Sequence, residues 1–177
     1  MTRHPDPGAL PAGFSRTRRL AELGLHSVPR GDLDEAAAVL GQFVGAAFAF
    51  VNLLGDDGQY FAGLYRAPRP DLPLLPRTMP LTHGFCPSLM ARNGNALVLT
   101  DTHDHPRLRA NPVVDELGAR TYVGAPLFDP ATGQTLATVC FIDTDPRPQE
   151  TEHDLLRVIK TRRDHLNPRL FHPDLTP

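Results

Sequence analysis

The sequence predicts an α+β domain built around an antiparallel sheet of five or six strands, with terminal helices on one face and short helices and loops on the other. Two β-hairpin patterns and amphipathic helices towards both chain ends support this class, and the elements do not alternate strictly as in a doubly wound parallel sheet. The 177 residues, 41% of them hydrophobic and 21% charged, fit a single globular domain. We therefore expect one folded unit.

The two chain ends are predicted to lie outside this unit. Residues 1–14 hold three prolines and two glycines without an apolar period, which predicts a disordered tail. Residues 15–170 form the predicted domain, and residues 171–177 form a short C-terminal tail. The domain begins with a short predicted helix from Ser15 to Leu23.

A longer helix is predicted from Asp32 to Val44. Asp32 can cap its first turn together with Glu35, and Gly45 suits its C-terminal end. Apolar residues at helical spacing predict its buried face, namely Ala36, Val39, Leu40, Phe43 and Val44.

The first hairpin follows this helix. Residues 47–54 are apolar on both alternating faces, which predicts a central strand covered on both sides. The turn at 55–58 leads to a partner strand over residues 59–65. The next segment, 66–82, contains five prolines and can form neither a helix nor an interior strand. We therefore expect a long ordered loop that covers another part of the domain.

The rest of the chain contains short helices, one strand, a second hairpin and a final helix. Short helices are predicted at 87–93 and 112–117, on either side of a strand at 96–100. Residues 120–128 and 135–143 form the second predicted hairpin. A final helix capped by Thr151 is predicted to bury Leu155, Leu156, Ile159 and Leu166.

Charge and composition argue against several classes of protein. Eighteen basic and twenty acidic side chains give a formal charge of -2, which disfavours nucleic-acid binding. No apolar run is long enough to span a membrane, and the N-terminus lacks the apolar core of a signal peptide. Two cysteines are too few for a secreted disulfide framework. We therefore expect a cytoplasmic protein with no nucleic-acid or membrane partner.

Five sequence segments resemble the GAF domain family in their order and spacing. They are residues 49–57 with 60–61, residues 84–86, residues 98–102 with 105–108 and 111–113, residues 122–127, and residues 138–143 with 146–147. The resemblance covers roughly residues 18–166, and one departure is Ala137, where the family usually has a glycine. It implies a stand-alone GAF protein of a bacterial signalling type. It also implies a small-molecule pocket on one sheet face and, on the other, helices that commonly mediate dimerisation.

Functional subclasses of the family fit less well. Cyclic-nucleotide-binding members have an Asn-Lys pair, whereas Asn111 is followed by Pro112. Bilin-binding members attach the pigment at a Cys-His pair, which neither cysteine forms. Free methionine-R-sulfoxide reductases use clustered cysteines, and no second thiol lies near residues 108–111. Common enzyme motifs are also absent from the sequence, so we expect no enzymatic activity.

The resemblance and the local residues together predict a pocket for an unidentified small molecule. Its predicted ligand-binding residues are Phe85, Cys86, Asp101, Arg107, Asn111 and Tyr122. The helix that begins at Asn111 has free N–H groups at its N-terminus, and Arg107 precedes it. Both features would favour the binding of an anion. Histidines and aspartates near residue 103 carry metal-ligating atoms, but their spacing matches no known metal site. The sequence identifies no metal and no cofactor.

The two cysteines receive different interpretations. Cys86 precedes Pro87 near a predicted helix start, where free N–H groups would lower the pKa of a thiol and make it reactive. The alternative is that Cys86 is a small buried apolar residue. Cys140 alternates with Val139 and Phe141 in a strand and is predicted to be packed. Cys86 is therefore the redox candidate.

Three functions remain open from the sequence. The first is a small-molecule-binding sensory module, the second a thiol-based redox sensor or weak reductase using Cys86, and the third a dimerisation scaffold without a ligand. Because no output domain is recognised after residue 166, we expect a signal to leave through a homodimer or a protein partner. We expect the first and last helices to form the surface for that contact, because Leu20, Leu23, Leu155 and Ile159 cannot all reach the opposite sheet face.

Overall fold

The structure is a computed structural model that describes residues 10–92 and 94–171. The predicted N-terminal tail lies outside the described residues up to position 9, and the predicted C-terminal tail does so from position 172.

Six antiparallel strands form one sheet, which confirms the predicted α+β class. In chain order they are β1 (Phe48–Leu54), β2 (Gln59–Arg66), β3 (Thr78–Met79), β4 (Leu97–Leu99), β5 (Thr121–Phe128) and β6 (Thr135–Asp143). Their order across the sheet is β3-β2-β1-β6-β5-β4. The two predicted hairpins are β1–β2 and β5–β6, and β1 pairs with β6 between them. Every residue of β1 and β6 is buried, as expected for central strands.

The described residues form five α-helices. They are α1 (Arg16–Glu22), α2 (Gly31–Val44), α3 (Pro106–Arg109), α4 (Pro112–Glu116) and α5 (Glu152–Phe171). Short 3-10 helices span Cys86–Ala91, Thr102–Asp104 and Gln149–Thr151. None of the described helices is long and apolar enough to cross a membrane.

The sheet separates two apolar cores, which is the layering that the sequence predicts. One face packs against α1, α2 and α5, with Leu40 and Ile159 fully buried there. The other face packs under the proline-rich segment, the 3-10 helix Cys86–Ala91 and α4, with Leu89 and Val113 fully buried. We call this second side the pocket face.

The N-terminal end of α2 differs from the prediction. Arg30 is the N-cap residue, and no side chain caps the helix. Asp32 lies in the first turn instead, where its carboxylate pairs with the Arg30 guanidinium at 2.7 Å. A carboxylate in the first turn still interacts favourably with the helix dipole.

The buried face of α2 also differs. Val39 and Phe43 were expected in the core but are 43% and 68% exposed. The buried residues of the helix are Leu33, Ala37, Leu40 and Gly41. A Cβ on Gly41 would overlap the Tyr65 ring of β2. The helix therefore packs on the sheet through Leu33, Ala37, Leu40 and Gly41, and the bulky Phe43 side chain is turned outward.

The apolar residues on which the expected partner surface rested lie inside the domain. Leu20, Leu155 and Ile159 are buried in the core under the terminal helices, and Leu23 is partly buried against it. The expectation that these four residues cannot all reach the sheet is therefore wrong, and a dimer or partner contact through the terminal helices stays a prediction. They reach the sheet because α1 and α5 lie against the same face as α2.

Two further differences concern helix ends and loops. Thr151 ends a 3-10 turn rather than capping α5, and its hydroxyl donates to the Pro148 carbonyl at 2.6 Å. Leu156 is only partly buried, whereas Leu170 and Phe171 join the core. The proline-rich segment contains β3 at the sheet edge, where prolines are tolerated because only one side must be paired.

Candidate functional site

The pocket face brings the two cysteines of the chain together. In β6, Cys140 alternates with residues of the helix-covered face and points to the pocket face, between Phe50 of β1 and Gly124 of β5. Cys86 is the first residue of the 3-10 helix that lies over this face. The two Sγ atoms are 3.4 Å apart, and both residues are buried, with 6% and 1% exposure.

A tyrosine hydroxyl completes this group. Tyr122 of β5 is 1% exposed, and its Oη donates a hydrogen bond to Cys86 Sγ at 3.4 Å. The Tyr122 ring packs against Phe85, with the ring centroids 5.1 Å apart. We call Cys86, Cys140 and Tyr122 the dithiol cluster.

Glycine at position 124 makes room for this tyrosine. The Tyr122 side chain lies along β5, so that a Cβ on Gly124 would be 2.7 Å from Tyr122 Cζ and closer still to Oη. Carbon atoms pack at about 3.5–4.0 Å. Only a glycine therefore lets the hydroxyl lie against β5 and reach Cys86.

The environment distinguishes the two thiols. Cys140 beside it lowers the pKa of Cys86 to about 6, burial acts in the opposite direction, and the Tyr122 hydroxyl lowers it further. The pKa of Cys140 is raised well above its ordinary value by burial and by Cys86. Burial also raises the pKa of Tyr122 well above the ordinary value. Cys86 is thus the thiol that ionises first, with Cys140 and Tyr122 as protonated donors to it.

Two buried polar atoms beside the cluster lack partners. Thr138 Oγ1 and Asn52 Oδ1 have no hydrogen-bond partner among the described residues. The two residues are opposite each other in the β1–β6 pairing, and both lie near Cys86. An unsatisfied buried polar atom costs about 1–3 kcal/mol, so a polar group brought within hydrogen-bond distance of either atom would be stabilised.

The cavity at the dithiol cluster is small. Its volume is about 20 Å³, and both thiols and Tyr122 contribute to its lining. Aromatic side chains occupy much of this face, including Phe50 and Phe61, whose ring centroids are 4.6 Å apart. A cavity of about 10–15 Å³ holds one water molecule, so this cavity accepts a molecule not much larger than water.

Side-chain amides fasten the loop that precedes the 3-10 helix. Asn111 accepts a hydrogen bond from Gly84 N at 2.9 Å and donates one to Gly84 O at 2.8 Å. Gln59 Nε2 donates to the carbonyl oxygens of Pro80 and His83, both at 2.7 Å. The Gly84 φ of 76° is one that glycine adopts without strain. The loop is therefore tied to β2 and to the start of α4.

Three of the six predicted ligand-binding residues, Phe85, Cys86 and Tyr122, line the cavity. Asn111 lies next to it and holds the loop, as described above. Asp101 and Arg107 are not among the described residues of the lining.

Asp101 forms a separate ion pair. It accepts hydrogen bonds from Arg120 at 2.9 and 2.6 Å and from His103 N at 3.0 Å. Arg120 is the main cause that lowers the pKa of Asp101 to about 2. Arg107 is exposed on α3. Within residues 10–92 and 94–171, no group of three or more His, Cys, Asp or Glu side chains is placed to hold a metal ion.

Sequence reasoning missed Cys140 as a partner of Cys86. A second thiol was considered only near residues 108–111, whereas the partner of Cys86 lies in the last strand, β6. The alternation along β6 indicates that Cys140 faces away from Val139 and Phe141, but it does not indicate which residue Cys140 contacts.

The fold defines the class of protein: a domain with a central antiparallel sheet, helices on one face and a small cavity under loops and short helices on the other. The family model of the GAF domain matches residues 32–160. The chain belongs to the GAF domain family, whose members are sensory and ligand-binding modules.

Among curated proteins, the chain is similar to the cyclic di-GMP phosphodiesterase PA2567 of Pseudomonas aeruginosa, with 31% identity over 143 residues. The match covers 80% of this chain but only 23% of that protein. The chain therefore spans about a quarter of the length of this relative.

Solved structures show the same fold at low sequence identity. A phycocyanobilin-bound GAF domain from a cyanobacterial phytochrome has a TM-score of 0.59 and 12% identity, with 92% of this chain and 96% of that chain covered. The nlh2 GAF domain of A. aeolicus in an inactive state has a TM-score of 0.58 and 13% identity, with 90% and 94% covered. The free methionine-R-sulfoxide reductase of Neisseria meningitidis, in complex with its substrate, has a TM-score of 0.53 and 18% identity, with 81% and 83% covered.

Proposed function

We propose that this GAF domain is a redox-responsive sensory module, whose signal is the conversion of Cys86 and Cys140 between a dithiol and a disulfide. The observation that carries the proposal is the 3.4 Å separation of the two Sγ atoms at the centre of the pocket face. The cavity there is about 20 Å³, which favours a chemical change of the thiols over the binding of a large organic ligand.

Disulfide formation requires only a limited movement. A disulfide bond is about 2.05 Å long, so the sulfurs must approach by a further ~1.4 Å from their 3.4 Å separation. Cys140 is fixed in the central strand β6, whereas Cys86 begins a short 3-10 helix. We therefore expect the helix and its preceding loop to move. In a reducing compartment, the dithiol is the resting state.

The movement would alter the surface above the pocket face. The loop before Cys86 is held by Gln59 and Asn111, so a shift of the helix strains these hydrogen bonds. Transmission to a second copy or to a protein partner stays a prediction. The proposal requires no catalytic turnover.

The test is the state of the two thiols after oxidation of the whole protein with diamide. The expected result is loss of both free thiols, loss of two hydrogens by mass, one intramolecular crosslink from Cys86 to Cys140 in a peptide map, and full reversal by dithiothreitol. Cys86→Ser and Cys140→Ser are matched controls that should each keep one free thiol. Two unchanged thiols, or crosslinks only between chains, would refute the proposal.

A second candidate is the binding of a small polar molecule, which the unpartnered Thr138 Oγ1 and Asn52 Oδ1 favour. Such a ligand would require Phe85 or the proline-rich segment to move aside. Native mass spectrometry of the protein from its own host tests this function. A molecule released on denaturation would support it, and an empty protein with reactive thiols would favour the redox function.

A further inference from the structure

We propose that the oxidant of this module is a small hydroperoxide, of which hydrogen peroxide is the simplest, with Cys86 as the attacking thiol and Cys140 as the resolving thiol. This inference rests on the redox function proposed above and adds the substrate class and the role of each cysteine.

Cavity size selects the oxidant. The cavity at the two sulfurs has a volume of about 20 Å³, whereas a single water needs about 10–15 Å³. Hydrogen peroxide is little larger than water and fits after small side-chain movements. Glutathione disulfide, methionine sulfoxide and aryl hydroperoxides do not fit beside sulfurs that are 6% and 1% exposed.

The hydrogen-bond donors around the two sulfurs indicate which cysteine attacks the peroxide and which one resolves the sulfenic acid. Cys86 accepts a hydrogen bond from the Tyr122 hydroxyl at 3.4 Å, and the Cys140 thiol 3.4 Å away is positioned to donate a second. Hydrogen bonds to a thiolate stabilise it, and the thiolate is the nucleophile. The lowered pKa of Cys86 and the raised pKa of Cys140 agree with this assignment.

The two steps balance in atoms and electrons. The Cys86 thiolate attacks one peroxide oxygen, so that an S–O bond forms, the O–O bond breaks, and the other oxygen leaves as water or alcohol after taking a proton. Cys140 then attacks the Cys86 sulfenic acid. The S–S bond forms, the S–O bond breaks, and the sulfenic oxygen leaves as water with the Cys140 proton. Two thiols are oxidised, one peroxide is reduced, and a dithiol reductant restores the resting state.

A buried hydroxyl without a partner among the described residues lies near Cys86 but outside the lining of the cavity. Thr138 shares the face of β6 with Cys140, and its Oγ1 is buried without a partner among the described residues. An oxygen atom on the Cys86 sulfur would offer that hydroxyl an acceptor. Because Thr138 is not among the described residues that line the cavity, it is assigned as a positioning residue for the sulfenic acid on Cys86 rather than for the peroxide in the cavity.

The exposed part of the lining indicates the entrance. Among the described residues that line the cavity, Met79 and Gly84 are partly exposed and the others are buried. Met79 Sδ lies close to Gly84, at 3.4 Å from where a Cβ on that residue would be. The Met79 side chain therefore covers the approach from solvent and sets the largest hydroperoxide that can enter.

The experiment compares the rates of disulfide formation in the whole protein with hydrogen peroxide, cumene hydroperoxide and diamide. Diamide is about as large as cumene hydroperoxide and does not fit the cavity either, so its rate measures the slow reaction that follows local opening of the 3-10 helix. We expect hydrogen peroxide to react at least ten times faster than cumene hydroperoxide at equal concentration. Cys140→Ser should stop at a sulfenic acid on Cys86 that a dimedone probe labels, whereas Cys86→Ser should give no labelling at Cys140. Thr138→Val should slow the peroxide reaction while leaving the diamide reaction unchanged.

Size selection is tested by opening the entrance. Met79→Ala should raise the rate with cumene hydroperoxide several-fold, and Met90→Ala, another partly buried methionine of the pocket face, is the matched control. Equal rates for the two hydroperoxides, or dimedone labelling at Cys140, would overturn the inference. Disulfide formation by diamide without reaction with any peroxide would overturn this inference while preserving the redox function, and no disulfide with any reagent would refute both.

Discussion

Gly124→Ala tests whether the Tyr122 side chain lies along β5 over the dithiol cluster. The new Cβ would lie 2.7 Å from Tyr122 Cζ, whereas carbon atoms pack at about 3.5–4.0 Å. The Tyr122 ring must therefore move by about 1 Å or more in a core where its residue is 1% exposed. Overpacking of this kind costs about 1–3 kcal/mol. For a domain of this size, the expected decrease in Tm is about 2–12 °C.

A double-mutant cycle assigns the cost to the correct contact. The atoms nearest to the new Cβ are Tyr122 Oη, Cζ and Cε1, and a leucine has none of them. Gly124→Ala should therefore cost about 1–3 kcal/mol with Tyr122 present and less than about 0.5 kcal/mol when Tyr122→Leu is already in place. Gly31→Ala is the matched control, because nothing lies within 4 Å of a Cβ at that position.

Urea unfolding of the four proteins in the cycle measures these free energies, and alkylation of Cys86 reports on the site. In Gly124→Ala, the displaced hydroxyl no longer donates to Cys86, so the thiol should become less reactive near pH 6–7, about where it ionises in the parent protein. An equal cost of Gly124→Ala in both backgrounds, or no cost with Tyr122 present, would refute the packing argument.

Three further predictions follow from hydrogen bonds at and around the site. Asn111→Ala removes two hydrogen bonds to Gly84 and should cost about 1–2 kcal/mol, with faster hydrogen exchange over residues 80–86; unchanged exchange there would contradict it. Asp101→Asn should flatten the loss of stability on acidification, because the pairing with Arg120 lowers the pKa of Asp101 to about 2 in the fold. The ion pair then adds stability that is present above the unfolded pKa and is lost as the pH falls from about 4 to about 2, which urea unfolding across that range measures. Tyr122→Phe should shift the midpoint of thiol alkylation above about pH 6, and an unchanged midpoint would show that the hydroxyl does not stabilise the thiolate.

Local patterns predicted most of the fold. The hairpins over residues 47–65 and 120–143 and the helix cap at Asn111 are encoded by short-range turn and capping chemistry, and the structure confirms them. The buried face of α2 was not predictable in the same way. Val39 and Phe43 fit the helical period, but the close approach of Gly41 to β2 decides which side of the helix faces the sheet.

The site was predictable only in part, for a similar reason. Phe85, Cys86 and Tyr122 were assigned to the pocket because the resemblance to the family covers the segments that contain them. The pairing of Cys86 with Cys140 spans 54 positions and depends on the strand register and on the place where the 3-10 helix crosses the sheet. Neither of these is encoded by residues near either cysteine.

The position of the thiols within the sheet determines what kind of signal oxidation can produce. Cys140 lies in β6, the strand that pairs with both β1 and β5, and its backbone is held on both sides. Cys86 lies in a short 3-10 helix, fastened to the sheet by side-chain hydrogen bonds of the preceding loop. Backbone pairing on both sides holds β6 more firmly than side-chain hydrogen bonds hold the 3-10 helix. When a disulfide joins the two, we therefore expect the 3-10 helix to move. Oxidation would therefore leave the sheet and the terminal helices in place and displace the segment around residues 80–91, so a partner that reads this signal must contact the pocket face.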